Sequence, residues 1–512
     1  MRFCNLIESI VPLAVGGDTE LEIRGLCYDS RQVRAGGLFF ALRGMEIDGH
    51  RFVEQAVAAG AVAVVVEDSS FVPQGFPFVK VPDSRLAMSL MAALFYGNPT
   101  DMVPLVGITG TNGKTTTSYL IEAILCQAGI PTAVLGTVSY RFREHIIPAP
   151  HTTPESIDLQ RTLRELVDLG ARGVVMEVSS HALEQRRVDG CRFDIGVFTN
   201  LTRDHLDYHH DMDSYLASKL RLFSELLNPD KDKPRRKAVI NSDDPYGEII
   251  ARHSACPVVC FGLGPEARVT AREVVFSVEG IRGLLATPQG EIGFQSRLLG
   301  RFNLYNILAA AAVGIAMELP LEAIRAGIEG HANIPGRLER IDNERGVALL
   351  VDYAHTGDAL ENVLRTLREI ATGRIITVFG CGGDRDRGKR PVMGEIAGRY
   401  SDLAIVTSDN PRSETPETII TEVRAGILPL EIREYAPDEL AGGFSDKGFI
   451  TLESRRDAIR LAARLARPGD IVLVAGKGHE DYQIIGRERL HFDDREEAAQ
   501  AFLGGMKRWR LR

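Results

Sequence analysis

The residues best suited to chemistry stand together in Gly107-Ile108-Thr109-Gly110-Thr111-Asn112-Gly113-Lys114-Thr115-Thr116-Thr117. Apolar Met102-Val103-Pro104-Leu105-Val106 before them is short enough for a buried strand. Ser118-Tyr119-Leu120-Ile121-Glu122-Ala123-Ile124-Leu125 after them has apolar residues at helical spacing. A strand, a glycine-rich turn, Gly-Lys-Thr and a helix together cradle phosphates. Glycines let backbone N–H groups close on the anion, and the helix N-terminus adds partial positive charge. Gly110, Thr111, Asn112 and Gly113 form the expected cradle, with Lys114 reaching the terminal phosphates and Thr115 or Thr116 offering a hydroxyl to Mg²⁺. The strict eight-residue pattern needs glycine at position 108, where this chain has isoleucine, so the loop is a variant. The bland alternative is an ordinary strand-to-helix turn. The expected ligand is a nucleoside triphosphate, ATP.

Elements of an ordinary soluble protein must position this loop. The 512 residues are too many for one typical domain, and two to four are expected. Hydrophobic residues make up 44% and charged residues 25%, an unremarkable globular composition. The net charge of −9, with no long Lys/Arg run, argues against a nucleic-acid partner. The seven cysteines are scattered. Only Cys256 and Cys260 are close, in an apolar run that reads as a strand with no second Cys/His pair, so zinc is not expected. Such cysteine usage suits a reducing cytoplasm. Asn5 and Glu8 interrupt the N-terminal apolar residues, which makes a poor signal peptide. The longest apolar run, Ile307 to Met317, is too short to span a bilayer. A cytoplasmic location without membrane insertion is the expectation.

Three regions follow from the patterning. Residues 1–100 read as a small α/β unit, with a strand leading into a polar turn over Gly25 to Arg31 and strands at Gly37 to Leu42 and Ala61 to Glu67. Residues 101–332 alternate strands and helices as a mostly parallel sheet does. Glu177 and His205 both follow apolar strand-like runs there, where functional groups of parallel sheets gather. Residues 333–512 alternate again, with strands at Leu349 to Tyr353, Arg374 to Gly380, Leu403 to Thr407 and Ile471 to Ala475. The basic end, Lys507 to Arg512, reads as a solvated helix end.

Taken together, the phosphate loop, Glu177, His205, Asp352, Asp409 to Arg412 and Gly476 to Glu480 resemble the Mur ligase family across the whole chain. The resemblance implies an α/β fold of three domains: an N-terminal UDP-binding domain, a central ATPase and a C-terminal Rossmann-like domain. It implies a cytoplasmic amide ligase, expected to be a monomer. In the family, ATP phosphorylates a substrate carboxylate to an acyl phosphate, and an amine attacks it. Lys114 stands with Glu177 and His205, which match the family's metal-binding pair, and with Lys219, which matches the lysine that CO₂ carbamylates. Taken alone, His205 would be a surface or hydrogen-bonded histidine and Lys219 a solvated helical tip.

Ser30 matches a contact to the UDP-sugar, and Thr152, Thr153, Ser179, Gln185 and Arg187 match contacts to the muramoyl dipeptide. Thr152 and Thr153 could equally cap a helix before Glu155. Asn303, Asn306, Arg337 and Asp352 match ATP-binding positions, although the family's usual proline after Ala-His-Thr is Gly357 here. Arg337, coming from the third domain, would couple domain closure to chemistry.

Asp409-Asn410-Pro411-Arg412 matches the form of the motif that selects meso-diaminopimelate; lysine-adding relatives lack the arginine. Diaminopimelate carries a second carboxylate, which a guanidinium grips with two hydrogen bonds. Arg390, Gly476 and Glu480 complete the implied pocket, with Glu480 taking the distal ammonium. The implied substrates are UDP-N-acetylmuramoyl-L-alanyl-D-glutamate and meso-diaminopimelate. The rivals are a lysine-adding ligase and a non-catalytic nucleotide-binding protein.

Overall fold

The computed structural model describes residues 1–44, 47–204, 206–330 and 334–503, with Leu206 and Asp207 as backbone alone. His205 and the basic segment Lys507 to Arg512 lie outside the described residues. The chain forms two compact units, one of residues 1–271, 285–292 and 305–328, the other of 272–284, 293–304 and 329–512.

The first unit carries two α/β layers. A sheet in the order Ala14–Gly16, Phe78–Lys80, Ala61–Val66, Gly37–Phe40 and Gly25–Cys27 has one antiparallel edge and is otherwise parallel. A larger sheet runs Val258–Phe261, Lys237–Asn241, Ile195–Phe198, Leu105–Thr109, Gly173–Glu177 and Thr132–Leu135, all parallel. Ser139–Phe142 and His145–Pro148 extend it antiparallel. Leu105–Thr109 lies at its centre, fully buried. Apolar strands buried on both faces are what parallel sheets require.

The strand expected at Met102 to Val106 is displaced. Pro99–Met102 forms one helical turn, and pairing begins at Leu105. Asn98 turns the chain in the left-handed region (φ 48°), Pro99 is pre-set for the first helical position, and Pro104 has no N–H for a ladder.

The second unit is organised on a sheet in the order Glu339–Ile341, Ala348–Asp352, Ile471–Ala475, Ile375–Phe379, Leu403–Val406, Gly448–Thr451 and Arg433–Glu434, antiparallel only at the first strand. Side chains alternate between faces, as the two-residue strand period demands. Leu350, Leu473, Ile375 and Ala404 pack against helices Gly357–Ile370, Lys389–Tyr400 and Pro416–Ile427. Leu349, Val472, Ile376 and Ile405 pack against Arg455–Leu465 and Asp494–Leu503. Helices therefore cover both faces, and the carboxyl ends of the parallel strands are left to carry polar loops.

Candidate active site

The phosphate loop is shaped by two glycines. The strand runs through Thr109, so Ile108 occupies a fully buried sheet position and the turn opens at Gly110. Gly110 has φ +149° and its missing Cβ would lie 1.9 Å from Thr199 Oγ1. Gly113 has φ +88°, with Asn306 Oδ1 2.3 Å from where a Cβ would stand. No other residue fits either place. Helix Lys114–Gln127 follows at once.

The neighbouring strand end holds the loop open. Asn112 N–H donates to Asn200 Oδ1 (2.9 Å), Thr199 Oγ1 donates to the Asn112 carbonyl (2.7 Å), and Thr111 N–H donates to the Asn200 carbonyl (2.9 Å). Lys114 Nζ curls back onto the carbonyls of Gly110 (2.9 Å) and Thr111 (2.8 Å). Lys219, on helix Met212–Arg221, reaches the same Gly110 carbonyl at 3.1 Å and sits 4.4 Å from the centre of the Tyr215 ring. Burial holds the Lys219 amine well below its ordinary pKa, and the charge of Lys114 adds to this while Asp204 opposes it. A neutral amine is the form that attacks CO₂.

Glu177 ends its strand almost completely buried. Its Oε2 accepts from Thr115 Oγ1 (3.2 Å) and Thr137 Oγ1 (3.0 Å), and its Oε1 from Thr137 N–H (3.0 Å). The carboxylate thus stands at the head of the phosphate-loop helix beside Thr115. Mg²⁺ prefers oxygen ligands and keeps several waters or phosphates, so one carboxylate and a hydroxyl suit it. Among the described residues no three His, Cys, Asp or Glu side chains converge to hold a metal.

The expected dipeptide contacts cluster beside the same residue, through Thr137 and the Glu177 backbone carbonyl. Thr152 Oγ1 is 3.1 Å from Thr137 Oγ1. Thr153 Oγ1 donates to the Glu177 carbonyl (2.8 Å) and accepts from Ser179 N–H (3.1 Å). Arg187 donates to the Thr153 carbonyl (2.9 Å) and to Gln185 Oε1 (2.7 Å), and pairs with Glu155 (2.9 Å). The helix after them has Glu155 at its N-cap without a side-chain bond, so neither threonine caps it. Ser30 lies apart from this cluster in a turn of the smaller sheet, donating to Gln55 Oε1 (3.1 Å). Asn306 Oδ1 accepts from Thr117 Oγ1 (3.3 Å), while Asn303, one turn earlier, donates to the Leu299 carbonyl (2.9 Å).

In the second unit three loops meet at the sheet's carboxyl edge. Asp352 accepts from Leu338 N–H (2.6 Å) and Ala354 N–H (2.8 Å); burial raises its pKa, opposed first by Arg337. Arg337 lies 5.2 Å from the Tyr353 ring centre, and its Nε is buried with no hydrogen-bond partner among the described residues. His479 packs beside Tyr353, and its pKa is lowered to about 4 by burial and by the charges of Arg337 and Arg495. A Cβ on Gly476 would meet Asp409 Oδ2 at 2.8 Å, so the Asp409 carboxylate rests directly on this glycine.

Asn410 Nδ2 donates to Glu480 Oε2 at 3.0 Å, joining loops that lie 70 residues apart. After Pro411, Arg412 adopts a left-handed backbone (φ 53°); its N–H donates to the Ile484 carbonyl (3.1 Å) and its Nη1 to the Gly383 carbonyl (2.8 Å). Pro411 itself accepts from Glu414 N–H through its carbonyl (3.1 Å). Arg390 is fully buried and grips Glu414 with two bonds (2.8 and 3.0 Å) and Glu422 with one (2.7 Å). It holds Glu414 down to about 2. In this conformation its guanidinium braces the loop that leads to Arg412.

Four residues outside the sequence-derived set belong to these constellations. Thr137 follows the carboxyl end of Thr132–Leu135, a place the strand-end rule marks. Asn200 stands in the segment leading to His205, and Lys477 lies inside Gly476 to Glu480. Arg455, fully buried, pairs with fully buried Asp494 (2.6 Å) and donates to the Ala475 carbonyl behind the pocket (2.9 Å). Nothing local in the sequence marks it.

Comparison with known proteins gives three consecutive family matches. The Mur ligase family catalytic-domain model matches residues 22–96, the Mur ligase middle-domain model 108–314, and the Mur ligase glutamate-ligase-domain model 336–478. A Geobacter metallireducens relative, UDP-N-acetylmuramoyl-L-alanyl-D-glutamate--2,6-diaminopimelate ligase, is 68% identical over 98% of both chains. A Geobacillus kaustophilus relative of the same name is 46% identical over 98% of this chain and 99% of its own. A solved structure of an enzyme of that name superposes with TM-score 0.70 at 33% identity, covering 98% of each chain. A Thermotoga maritima MurF ligase solved in complex with ADP has TM-score 0.61 at 17% identity, covering 95% of this chain and 98% of its own, a likeness of fold.

Proposed function

The chain belongs to the Mur ligase family, and from that premise we propose that it joins meso-diaminopimelate to UDP-N-acetylmuramoyl-L-alanyl-D-glutamate at the expense of ATP. The observation that carries this reading is Glu177. One buried carboxylate touches Thr115 of the phosphate loop and, through Thr137 and its own backbone, the Thr152, Thr153, Ser179 and Arg187 cluster. Phosphoryl donor and carboxylate acceptor then meet at one place, which is what acyl-phosphate formation needs.

The D-glutamyl carboxylate takes the γ-phosphoryl group of ATP, the amine of diaminopimelate attacks the carbonyl carbon, and phosphate leaves as the amide forms. Glu177, with Thr115, His205 and carbamylated Lys219, would hold Mg²⁺, which when bound would supply charge neutralisation for the transferring phosphoryl group. Lys114 leaves its carbonyl partners to meet the terminal phosphates, and the N–H groups of Gly110 to Thr116 orient them. Asn303, Asn306, Arg337 and Asp352 are the remaining proposed ATP contacts, and Ser30 with Gln185 the remaining contacts to the UDP-sugar dipeptide. Arg412 grips the distal carboxylate of diaminopimelate and Glu480 its ammonium, with Asp409, Asn410, Pro411 and Gly476 shaping the pocket. Arg390 acts there through Glu414.

The division at residues 100 and 332, a monomeric state and a cytoplasmic location belong to the same proposal. No helix among the described residues is long and apolar enough to cross a membrane. The test is incubation of the protein with ATP, Mg²⁺ and the UDP-muramoyl dipeptide, plus diaminopimelate or lysine, with mass measurement of the product. A diaminopimelate-containing tripeptide is expected; a lysine tripeptide alone, or ATP binding without product, overturns the reading.

A further inference from the structure

The amino-acid pocket contains a buried cation that the proposed mechanism does not use. Lys477 has no exposed surface. Its Nζ lies 3.2 Å from Glu480 Oε2 and 3.4 Å from Asn410 Oδ1, with the Tyr482 ring centre at 5.3 Å. Asn410 binds the same carboxylate oxygen (3.0 Å) and accepts from Ile484 N–H (2.9 Å), while the Ile484 carbonyl accepts from Arg412 N–H (3.1 Å). Lys477, Glu480, Asn410 and Arg412 are thus one connected frame. Burying an ammonium is costly unless a charge partner and hydrogen bonds compensate it, and here Glu480 and Asn410 supply them.

We propose that Lys477 is a specificity-determining positioning residue, an internal counter-ion that fixes Glu480 and cancels its charge so that the pocket favours a zwitterionic distal end over a cationic one. This deepens, and rests on, the reading that the pocket receives diaminopimelate. The distal end of diaminopimelate carries one ammonium and one carboxylate and is neutral in sum, whereas that of lysine carries only the ammonium. With Lys477 present, Glu480 offers an oriented acceptor but little net negative charge, so a bare cation gains little by entering. Without it, an uncompensated carboxylate attracts the lysine ammonium and repels the diaminopimelate carboxylate.

The experiment uses the full chain at saturating ATP and UDP-muramoyl dipeptide, measuring kcat and KM for diaminopimelate and for lysine. In Lys477→Met the diaminopimelate-to-lysine ratio of kcat/KM should fall at least about tenfold, a change that one removed charge at this range supplies. KM for diaminopimelate should rise, KM for lysine should fall, and KM for ATP should stay. Lys477→Arg, which keeps the charge, should retain most of the ratio. A merely structural lysine would not improve lysine binding, so an unchanged ratio, or equal losses for both amino acids, overturns the proposal. Should Lys477→Met not fold, Glu480→Gln reads the same electrostatics with opposite sign. The ratio should then move further from lysine, and movement toward lysine overturns the proposal. A wild-type chain that makes no diaminopimelate product overturns the site reading and the proposal together; a productive wild type with an unmoved ratio overturns the proposal alone.

Discussion

The phosphate loop and the proposed amino-acid pocket solve opposite electrostatic problems. At the loop, Lys114 and Lys219 converge on one backbone carbonyl, that of Gly110. In the pocket, cations are matched to carboxylates: Arg390 to Glu414 and Glu422, Arg455 to Asp494, Lys477 to Glu480. A site for a polyanion gains from a cation such as Lys114, whose hydrogen bonds to neutral carbonyls are easily exchanged for phosphate oxygens. A site that must tell a zwitterion from a cation gains from charges already balanced and fixed, because a small imbalance there shifts preference.

The largest effect that would break this comparison is at the loop. Lys114→Ala should lower substrate-dependent phosphate release by about three powers of ten, since a cation on the transferring phosphate is removed. The far-ultraviolet circular dichroism should be unchanged, because the Gly110 and Thr111 carbonyls that the lysine bonds lie in the loop itself and not in a helix or strand ladder. Retention of near-normal release would mean that the loop does not hold the reacting phosphates.

In the pocket, the matched charges predict a stability effect. Arg455→Leu leaves Asp494 buried and uncompensated and should destabilise the second unit by about 3–5 kcal/mol, measured by denaturant titration. Adding Asp494→Leu should recover much of that loss, because an apolar pair of similar volume needs no desolvation. A double variant as unstable as the single one would show that the pair does more than compensate itself.

Arg412→Ala should reduce kcat/KM for diaminopimelate by about two to three powers of ten while ATP binding stays near normal. Lysine, lacking the carboxylate, should lose little. Arg412→Lys should recover only part, because an ammonium cannot make two parallel hydrogen bonds. An unchanged diaminopimelate-to-lysine ratio would place selectivity elsewhere.

The smallest effect concerns His479, whose folded pKa of about 4 lies below its ordinary 6.5. Between these values the unfolded chain binds the extra proton, so stability falls as pH drops from 6.5 toward 4 and levels off below it. The contribution is about 1–3 kcal/mol after allowance for solvent screening. His479→Gln should flatten that part of the stability profile, and an equally steep profile in the variant would assign it to other groups.

The sequence by itself determined the phosphate loop, the alternation of strands and helices, and the motifs at the strand ends. These are short-range properties: glycine's access to positive φ at 110 and 113, apolar periodicity, and residues adjacent along the chain. Even so, it misplaced the strand before the loop, because Asn98 and Pro99 make a helical turn that apolar content does not reveal. Only the tertiary structure decided which carboxylate each cation meets. Arg390 finds Glu414 24 residues on, Arg455 finds Asp494 39 residues on, and Asn410 finds Glu480 70 residues on. Lys477 lay in plain view within Gly476 to Glu480, yet its role needed the finding that it is wholly buried on Glu480. Such partners are set by which strand ends the sheet brings together, and a buried charge must take whichever partner the packing delivers.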